Sequence, residues 1–341
     1  MSEAAERSTE KNKRDKTLKK LEVALQAGDF YQAHQIYRSV CNRYYNQKNY
    51  GKAIEMLYEG SLKLLEYEQY ASAADLGTYL TKAYTASNTQ VDPESSTRII
   101  AIIKEFPSSE KTRGFLITAA LDWATKFGSL SSGEPLFHDA LAAIYERDGN
   151  FLMAENHYVF GTEETSKAFA GLLYRWASLV EPLNFGYFLA RAVLCMIDSG
   201  NATKATLTTR FFVAELIQHK PDLVSPDNST DLSNIGEKDF VEFNVPLLNF
   251  IQLLVLLLPK AGARSIFSQM RERYQAHLVT PAYSFSEVLD KIGEDYFGIR
   301  IHRPVNLLQS LMSNMFNPGN GAQNAGALPF GQLTQSNTEL D

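Results

Sequence analysis

Histidine and cysteine are the residue types with the widest chemical use, and this chain has six histidines and two cysteines. Histidine can be a general base or a metal ligand, and a cysteine thiolate can be a nucleophile or bind zinc. No pair of histidines has the His-Glu-x-x-His spacing of zinc proteases. The cysteines, Cys41 and Cys195, are too few for a disulfide framework or a zinc site made of cysteines. Cys41 lies among aromatic residues in a helical pattern, which favours a packed side chain over a nucleophile.

The acidic residues and the glycines also lack the spacing of a catalytic site. Glu163 and Glu164 are adjacent, which is typical of the first turn of a helix, where carboxylates interact favourably with the helix dipole. The glycine-rich run at 317–326 has no strand before it and no helix after it, although a phosphate-binding loop requires both. These patterns favour a binding protein over an enzyme, and they predict no metal and no cofactor.

Charge and hydropathy argue against two further classes. The formal net charge is −6, whereas a protein held by nucleic-acid phosphates needs a basic surface. The most apolar segment, 245–259, spans about fourteen residues from one proline to the next, both included, and a membrane-spanning helix needs roughly 20. We therefore expect a buried helix there, with no direct insertion into a membrane. The charged N-terminus lacks the apolar run of a secretory signal, and the low cysteine content indicates a reducing compartment such as the cytosol.

A repeated phrase near the N-terminus indicates the elements that carry these residues. An aromatic residue followed three positions later by alanine recurs every twenty residues. The copies are Phe30 with Ala33, Tyr50 with Ala53, and Tyr70 with Ala73. Each copy begins a stretch with the apolar spacing of one helix face, and a helix that cannot bury its own stripe must stack on neighbours. The short breaks after residues 46 and 66 leave room for antiparallel neighbours alone.

The helical pattern continues to residue 297 with one interruption. Helices are expected at about 109–127, 134–148, 151–161, 163–180, 183–199, 202–219, 246–258, 262–278 and 284–297. The interruption at 221–243 is rich in proline, aspartate, asparagine and serine, and it ends in apolar residues that alternate around Glu242. This alternation predicts a short β-hairpin near 223–243. The fold class is therefore all-α, a tetratricopeptide-like α-solenoid of about fifteen antiparallel helices with one hairpin insertion.

The composition divides the chain into four parts. Residues 1–16 are charged and aperiodic, and residues 317–341 are polar and of low complexity, so both are expected to be disordered. Residues 17–150 and 151–316 form the N-terminal and C-terminal halves of the predicted solenoid.

Two surfaces stand out as candidate binding sites, and each has a plain structural alternative. Opposite the apolar stripe of the second helix lie Tyr31, His34, Gln35, Arg38, Asn42 and Tyr45. Exposed tyrosine and arginine are frequent at interfaces, but such a face can also be simply solvated. The second candidate is the apolar stretch 239–258, whose helix is apolar nearly all round and must be covered on more than one side. Its cover is either the core of the solenoid or a partner chain.

Several phrases closely resemble the Golgi-to-ER traffic protein 4 family. They are GDFYQAHQIYRSVCNRYYNQKNYGKAIEML at 28–57, GEPLFHDALA at 133–142, MAENHYVFGT at 153–162, NVPLLNFIQLLVLLL at 244–258 and NLLQSLMSNMF at 306–316. They follow the order of the family and span nearly all of the chain that is expected to be ordered. The first 16 residues and the tail beyond residue 317 have no counterpart in this resemblance.

The resemblance implies a function that periodicity cannot show. Members of this family are α-solenoid adaptors in the guided-entry pathway for tail-anchored membrane proteins. Their N-terminal helices dock a dimeric targeting ATPase, and their C-terminal half holds a partner with a ubiquitin-like domain, which recruits a co-chaperone that carries the client. On this chain the ATPase contact falls on Tyr31, His34, Arg38, Arg43 and Asp75. The partner contact falls on Phe240, Val241, Phe243, Phe250, Leu253, Leu254 and Leu257.

Two alternatives to this adaptor remain. A generic helical-repeat adaptor would bind peptide tails in its groove. A structural subunit of a large helical-repeat assembly would usually end in a winged-helix domain, and the C-terminal sequence lacks the strand-rich pattern of such a module.

Overall fold

The structure is a computed structural model that describes residues 16–180, 184–226 and 240–299. Over these ranges it is all-α, as predicted, with fifteen α-helices and two short 3₁₀ helices at Glu163–Thr165 and Pro221–Leu223. In chain order the α-helices are α1 (16–26), α2 (Phe30–Asn46), α3 (Tyr50–Glu66), α4 (Tyr70–Ala86), α5 (Pro93–Glu105), α6 (Arg113–Phe127), α7 (Pro135–Arg147), α8 (Phe151–Tyr158), α9 (Ser166–Leu179), α10 (Phe185–Asp198), α11 (Ala202–His219), α12 (Pro246–Leu257), α13 (Arg264–Arg273), α14 (Gln275–Leu278) and α15 (Ser286–Phe297).

The twenty-residue period comes from a helix of fixed length and a turn of fixed shape. Helices α2, α3 and α4 each contain 17 residues, and three residues separate one from the next. The middle residue of each turn is left-handed, with φ of 57° at Lys48 and at Glu68. The amide of Asn49 then donates to the carbonyl oxygen of Tyr44 at 2.9 Å, which satisfies a carbonyl group at the helix end.

The repeated phrase packs neighbouring helices together. All three of its alanines are fully buried, so adjacent helices can approach closely. Its aromatic residue packs beside the turn of a neighbour: the Phe30 ring lies 4.8 Å from that of Tyr67, and the Tyr50 ring lies 5.5 Å from that of Tyr45. One hydrophobic core cluster then runs from Leu21 to Phe297. Helix α3 packs against both α2 and α4, and α2 also contacts α4 across α3, so residues of α2 and α4 meet on one face.

The β-hairpin predicted near 223–243 is not confirmed. Within the described residues the segment forms one isolated antiparallel bridge between Val224 and Phe243, and residues 227–239 lie outside them. The bridge is flanked by two backbone hydrogen bonds, from the Ser225 amide to the Glu242 carbonyl oxygen at 2.9 Å and from the Asn244 amide to the Leu223 carbonyl oxygen at 2.8 Å, and the other edge of the segment faces α12. Its Asn249 side chain accepts from the Phe243 amide at 2.9 Å and donates to the Phe243 carbonyl oxygen at 2.8 Å. Gln252 pairs in the same way with Val241, at 3.1 and 2.9 Å. Two side-chain amides therefore satisfy the edge of this segment that faces away from Val224, and they hold the segment against α12.

Other predicted boundaries shift slightly. Residue 16 begins α1 instead of ending the arm, and the helix expected at 262–278 is interrupted at Tyr274 to give α13 and α14. Residues up to Ile299 group into one compact unit, and the division at residue 150 stays a prediction about halves of that unit. The arm before residue 16 and the tail after residue 317 lie outside the described residues. Among the helices that are described, none is long and apolar enough to cross a membrane.

Candidate functional site

The predicted ATPase-docking face contains a cluster of three charged or titratable residues that joins α2 to α4. Asp75 of α4 accepts hydrogen bonds from Arg38 of α2, whose Nη1 lies 2.5 and 2.7 Å from its two carboxylate oxygens. The Nε2 atom of His34, one turn earlier on α2, lies 2.8 Å from Oδ2 of Asp75. The side chains of Arg38 and Asp75 remain 46% and 37% exposed, so the cluster is both a link between helices and an accessible surface.

The hydrogen bonds of this cluster keep the Asp75 carboxylate ionised. Partial burial alone raises the pKa of the Asp75 carboxyl, but the hydrogen bonds from Arg38 and His34 outweigh burial, and the pKa lies below its usual value. Asp75 therefore stays ionised at neutral pH and fixes the Arg38 guanidinium in one orientation. This surface therefore presents a cation in a fixed position next to a carboxylate, and not two freely moving side chains.

Aromatic residues extend the cluster along α2 and α4. The Arg38 guanidinium lies 5.6 Å from the centre of the Tyr79 ring, a cation–π distance. The Tyr79 hydroxyl donates to Oδ1 of Asn42 at 3.4 Å, and its ring lies 5.7 Å from that of Tyr45. Tyr79 was not among the residues predicted for this site, although it lies four residues after Asp75 and therefore on the same helix face.

Tyr31 and Arg43 differ in their relation to this cluster. Tyr31 is 76% exposed and lies one turn before His34, so it extends the face. Arg43 lies nine residues after His34, which places it on the opposite side of α2. Its guanidinium is 5.8 Å from the Tyr44 ring, and it lines a separate groove of about 300 Å³ with residues of α1 and α3. The four predicted docking residues on α2 thus occupy two sides of that helix, and Asp75 of α4 lies on the side of His34 and Arg38.

Most of the predicted partner-binding residues are buried in the core of the chain itself. Val241, Phe243, Phe250, Leu254 and Leu257 are buried, whereas Phe240 and Leu253 are half-buried. An apolar sequence pattern cannot tell burial within a chain from burial between chains. The buried members pack α12 against the solenoid, so any contact with a partner must come from the half-buried ones and from neighbours that the pattern did not single out.

Such neighbours form an open groove between α12 and α13. The groove has a volume of about 410 Å³ and a mostly apolar lining. Its lining residues are Leu253, Leu256, Leu257, Lys260, Ile266, Gln269, Met270, Arg273 and Tyr274. Ile266 is 55% exposed, which is unusual for a large aliphatic side chain next to other apolar residues. Two of the seven predicted partner-binding residues, Leu253 and Leu257, lie in this groove.

Outside these surfaces, two histidines lie close enough to resemble a catalytic pair, but both are buried. The Nδ1 atoms of His138 and His157 lie 3.0 Å apart, and Nε2 of His138 lies 2.8 Å from the carbonyl oxygen of Ser132. Both rings are about 5% exposed, so neither reaches a substrate. Among the described residues, no group of three or more histidine, cysteine, aspartate or glutamate side chains could hold a metal ion.

Taken together, the stacked helices form a helical-repeat scaffold, and its described residues leave two surfaces open. A family model described as Golgi to ER traffic protein 4 matches residues 47–316. The chain therefore belongs to the Golgi to ER traffic protein 4 family. The match begins after α2 and includes residues 300–316, which the structure does not describe.

Individual relatives extend the similarity to nearly the whole chain. Golgi to ER traffic protein 4 of Aspergillus fumigatus is 31% identical, over 95% of this chain and 95% of that protein. The Schizosaccharomyces pombe protein of the same name is 27% identical, over 91% of this chain and 98% of its own length. A solved structure, described as the crystal structure of C. therm. Get4, superposes with a TM-score of 0.75 at 29% identity, and it covers 93% of this chain and 100% of its own.

Proposed function

We propose that this chain is a non-enzymatic adaptor in the cytosol that helps to deliver tail-anchored membrane proteins to the endoplasmic reticulum. It binds a dimeric targeting ATPase through the face of α2 and α4. It binds a partner with a ubiquitin-like domain through its C-terminal half, and that partner recruits a co-chaperone with the client. Family membership supports this assignment, and the cluster of His34, Arg38 and Asp75 is the observation that carries its ATPase contact.

The cluster is suited to recognise a charged surface. Asp75 holds Arg38 in place before any partner arrives, so binding loses less side-chain entropy than with a mobile arginine. The exposed Tyr31 adds a large apolar contact beside the charges, and tyrosine and arginine are the residue types that most often dominate binding energy at interfaces. Arg43 lies on the other side of α2, so it contributes only if the ATPase also reaches over α1.

The proposed activity requires no reacting group in this chain. An adaptor that holds client and ATPase in one complex raises the effective concentration of one next to the other, which speeds transfer without catalysis. If it binds one nucleotide state of the ATPase better than another, it shifts the ATPase towards that state by the difference in affinity.

The test is a pull-down of the purified ATPase with and without ATP. The native chain is compared with Arg38→Ala and Asp75→Ala, and Lys63→Ala is the control because its ion pair with Glu66 lies within α3. We expect stronger binding with ATP, about tenfold weaker binding for both face variants and an unchanged control. The double variant Arg38→Ala/Asp75→Ala shows whether Asp75 contacts the ATPase itself or only holds Arg38 in place. If Asp75 only holds Arg38, the double variant binds the ATPase no more weakly than Arg38→Ala alone.

Two results would contradict the proposal. Equal binding by the native chain and both face variants, at low salt and with folding confirmed by circular dichroism, would remove the docking site from α2 and α4. The absence of any binding with the ubiquitin-like partner present would instead favour a generic helical-repeat adaptor.

A further inference from the structure

The outer face of α1 carries three lysines and one aliphatic side chain. Lys16, Lys19 and Lys20 are exposed, and Val23 is 63% exposed. Because successive residues of a helix are about 100° apart, these four positions fall within one arc of about 100°. Leu21 lies on the other side of α1 and is buried in the core. The arc is therefore a surface that the core leaves uncovered.

This face is positive in a chain that is acidic as a whole. The net charge of the chain is −6, but the one carboxylate of α1, Glu22, lies outside the arc. No ion pair joins the three lysines to another described residue, in contrast to Lys63, which pairs with Glu66 on α3. The sequence KNKRD at 11–15 precedes them, so six of the ten residues at 11–20 are cations. The charge of the three lysines is therefore available to an anionic partner.

The positive charge continues on the two helices next to the start of α1. A groove there is lined by residues of α1, α2 and α3. Its two cations, Arg43 and Lys52, lie 5.8 and 5.9 Å from the centre of the Tyr44 ring. Its two carboxylates, Glu55 and Glu59, lie farther along α3. Cations of three helices therefore lie around the start of α1, which raises the potential that attracts a polyanion to it.

The residue types favour an anionic lipid surface over a nucleic acid as this polyanion. Proteins that bind RNA stack its bases on aromatic rings and arginine planes, and the exposed arc of α1 contains neither. Lysines on a helix, with an aliphatic side chain among them, are typical of proteins that lie on anionic membranes. Their ammonium groups pair with lipid phosphates and carboxylates, while the aliphatic group enters the interface beneath the headgroups. The arc has both the charge and the apolar group for such a contact.

We propose that the outer face of α1 binds membranes that contain anionic lipids, and that it does so without inserting a helix. Lys16, Lys19 and Lys20 contact the lipid headgroups, and Val23 enters the interface beneath them. Each lysine near such a surface strengthens binding about fivefold, so this small patch gives weak and reversible binding. The inference goes beyond the proposed function, because the ATPase and the ubiquitin-like partner take no part in it.

The first arm of the test measures how much of the full chain sediments with lipid vesicles. The vesicles contain phosphatidylcholine alone, or phosphatidylserine in place of about a third of it. The triple variant Lys16→Glu/Lys19→Glu/Lys20→Glu is compared with the native chain and with the control Lys104→Glu/Lys111→Glu/Lys167→Glu. The control reverses three exposed lysines elsewhere on the chain and changes the net charge equally. Circular dichroism confirms that each chain is folded.

We expect the native chain and the control to bind the phosphatidylserine vesicles about tenfold more tightly than the neutral ones at about 0.1 M salt. This preference should shrink at about 0.5 M salt, where the charges are screened. The triple variant should lose the preference at both salt concentrations. If the native chain shows no preference, or if the triple variant and the control bind equally, the proposal is wrong.

The second arm distinguishes a membrane from RNA and from the ATPase. Val23→Ser removes the aliphatic group, and Val279→Ser is the control because Val279 is also exposed, at 44%. We expect Val23→Ser to weaken vesicle binding about threefold and to leave the ATPase pull-down unchanged, whereas Val279→Ser changes neither. If a short double-stranded RNA binds the native chain more tightly than the phosphatidylserine vesicles do, the partner is a nucleic acid and the proposal is wrong. If the triple variant loses the ATPase but keeps the vesicles, the lysines belong to the docking site and the proposal is also wrong.

Discussion

At the scale of single residues, the helices are joined by buried polar groups that no local sequence pattern reveals. The clearest case is a cluster between α7, the 3₁₀ helix Glu163–Thr165 and α11. Asp139 accepts hydrogen bonds from both the backbone amide and the hydroxyl of Thr162, at 3.1 and 2.6 Å. Lys204 is fully buried and donates to the Thr165 hydroxyl at 2.9 Å, and burial lowers its pKa to about 8. A buried charge tolerates little displacement, because its partners replace the water that it lost.

Gly161 is the residue through which this cluster is most easily disturbed. A β-carbon at Gly161 would lie 1.9 Å from Oδ1 of Asp139 and 3.0 Å from Nζ of Lys204, so Gly161→Ala must push the carboxylate away from its donors. We expect a loss of about 1–3 kcal/mol in the free energy of unfolding, measured by urea denaturation. Gly171→Ala on α9 is the matched control. It meets no atom within 4 Å and should stabilise the helix by about 0.5–1 kcal/mol. If Gly161→Ala and Gly171→Ala change the free energy of unfolding in the same direction, this explanation is wrong.

The buried histidine pair predicts a loss of stability in acid. The bond from His138 Nε2 to the Ser132 carbonyl oxygen makes that nitrogen a donor, so its Nδ1 accepts from Nδ1 of His157. Burial, with a smaller effect of His138, lowers the pKa of His157 from 6.5 to about 3. Between these two pH values the unfolded chain binds more protons than the folded chain. The free energy of unfolding should therefore fall with decreasing pH below about 6.5, by up to about 1.4 kcal/mol per pH unit for this ring.

Urea titrations at several pH values between about 7.5 and 4 measure this slope. His157→Phe keeps a ring beside Tyr145 but cannot titrate, so its slope should be shallower than that of the native chain. His277→Gln, a change at an exposed position on α14, should leave the slope unchanged. If His157→Phe and the native chain have equal slopes, the pair does not control acid stability.

At the scale of helices, prediction from the sequence succeeded where one element carries its own pattern. The starts of α2, α3 and α4 were predicted because the aromatic and the alanine occupy fixed places in each. It failed where the partner of an element decides the outcome. The residues around Glu242 alternate like a strand, but only two backbone hydrogen bonds join them to residues 223–225, and Asn249 and Gln252 on α12 bind their other edge. Residues six to eleven positions apart supply these hydrogen bonds, and no local periodicity identifies them.

The left-handed turns could not be read from the sequence, since only some carry glycine. Gly28 has φ of 74°, whereas Lys48 and Glu68 have a φ of 57° in the equivalent positions. A residue with a β-carbon is strained in this conformation by about 1 kcal/mol or more. The turn is therefore specified by the helices on both sides, which fix its length, and not by the residue at its centre.

This strain predicts that Lys48→Gly stabilises the chain. Relief of the β-carbon contact exceeds the extra entropy that glycine has in the unfolded chain, so we expect a gain of about 0.5–1 kcal/mol. Lys48→Ala keeps the β-carbon and should be close to neutral, while Gly28→Ala at the equivalent turn should lose about 1 kcal/mol. Urea denaturation of the three variants provides the measurement. A stabilising Lys48→Ala would attribute the gain to loss of charge instead of to backbone strain.

At the scale of the whole molecule, the two proposed surfaces lie on different helices of one compact unit. One surface was predicted on α2 and α4 and the other around α12, but most residues predicted for the second are buried in the core. Burial by the chain itself and burial by a partner leave the same apolar pattern, and only the packed structure shows that Ile266 and Leu256 are the ones left accessible.

The separation of the surfaces predicts that the two binding activities are independent. Among the described helices, α2 packs mainly against α3 and α4, whereas α13 packs mainly against α12, α14 and α15. Effects at sites without shared partners add to within about 0.5 kcal/mol. Arg38→Ala should weaken binding of the ATPase alone, and Ile266→Asp should weaken binding of the ubiquitin-like partner alone. Either change should abolish the three-protein complex in size-exclusion chromatography at concentrations where the native chain forms it, because a bridge needs both ends. If Ile266→Asp also weakened the ATPase contact in a chain that remained folded, the surfaces would be coupled through the solenoid, and the adaptor would transmit a conformational change instead of only holding two partners together.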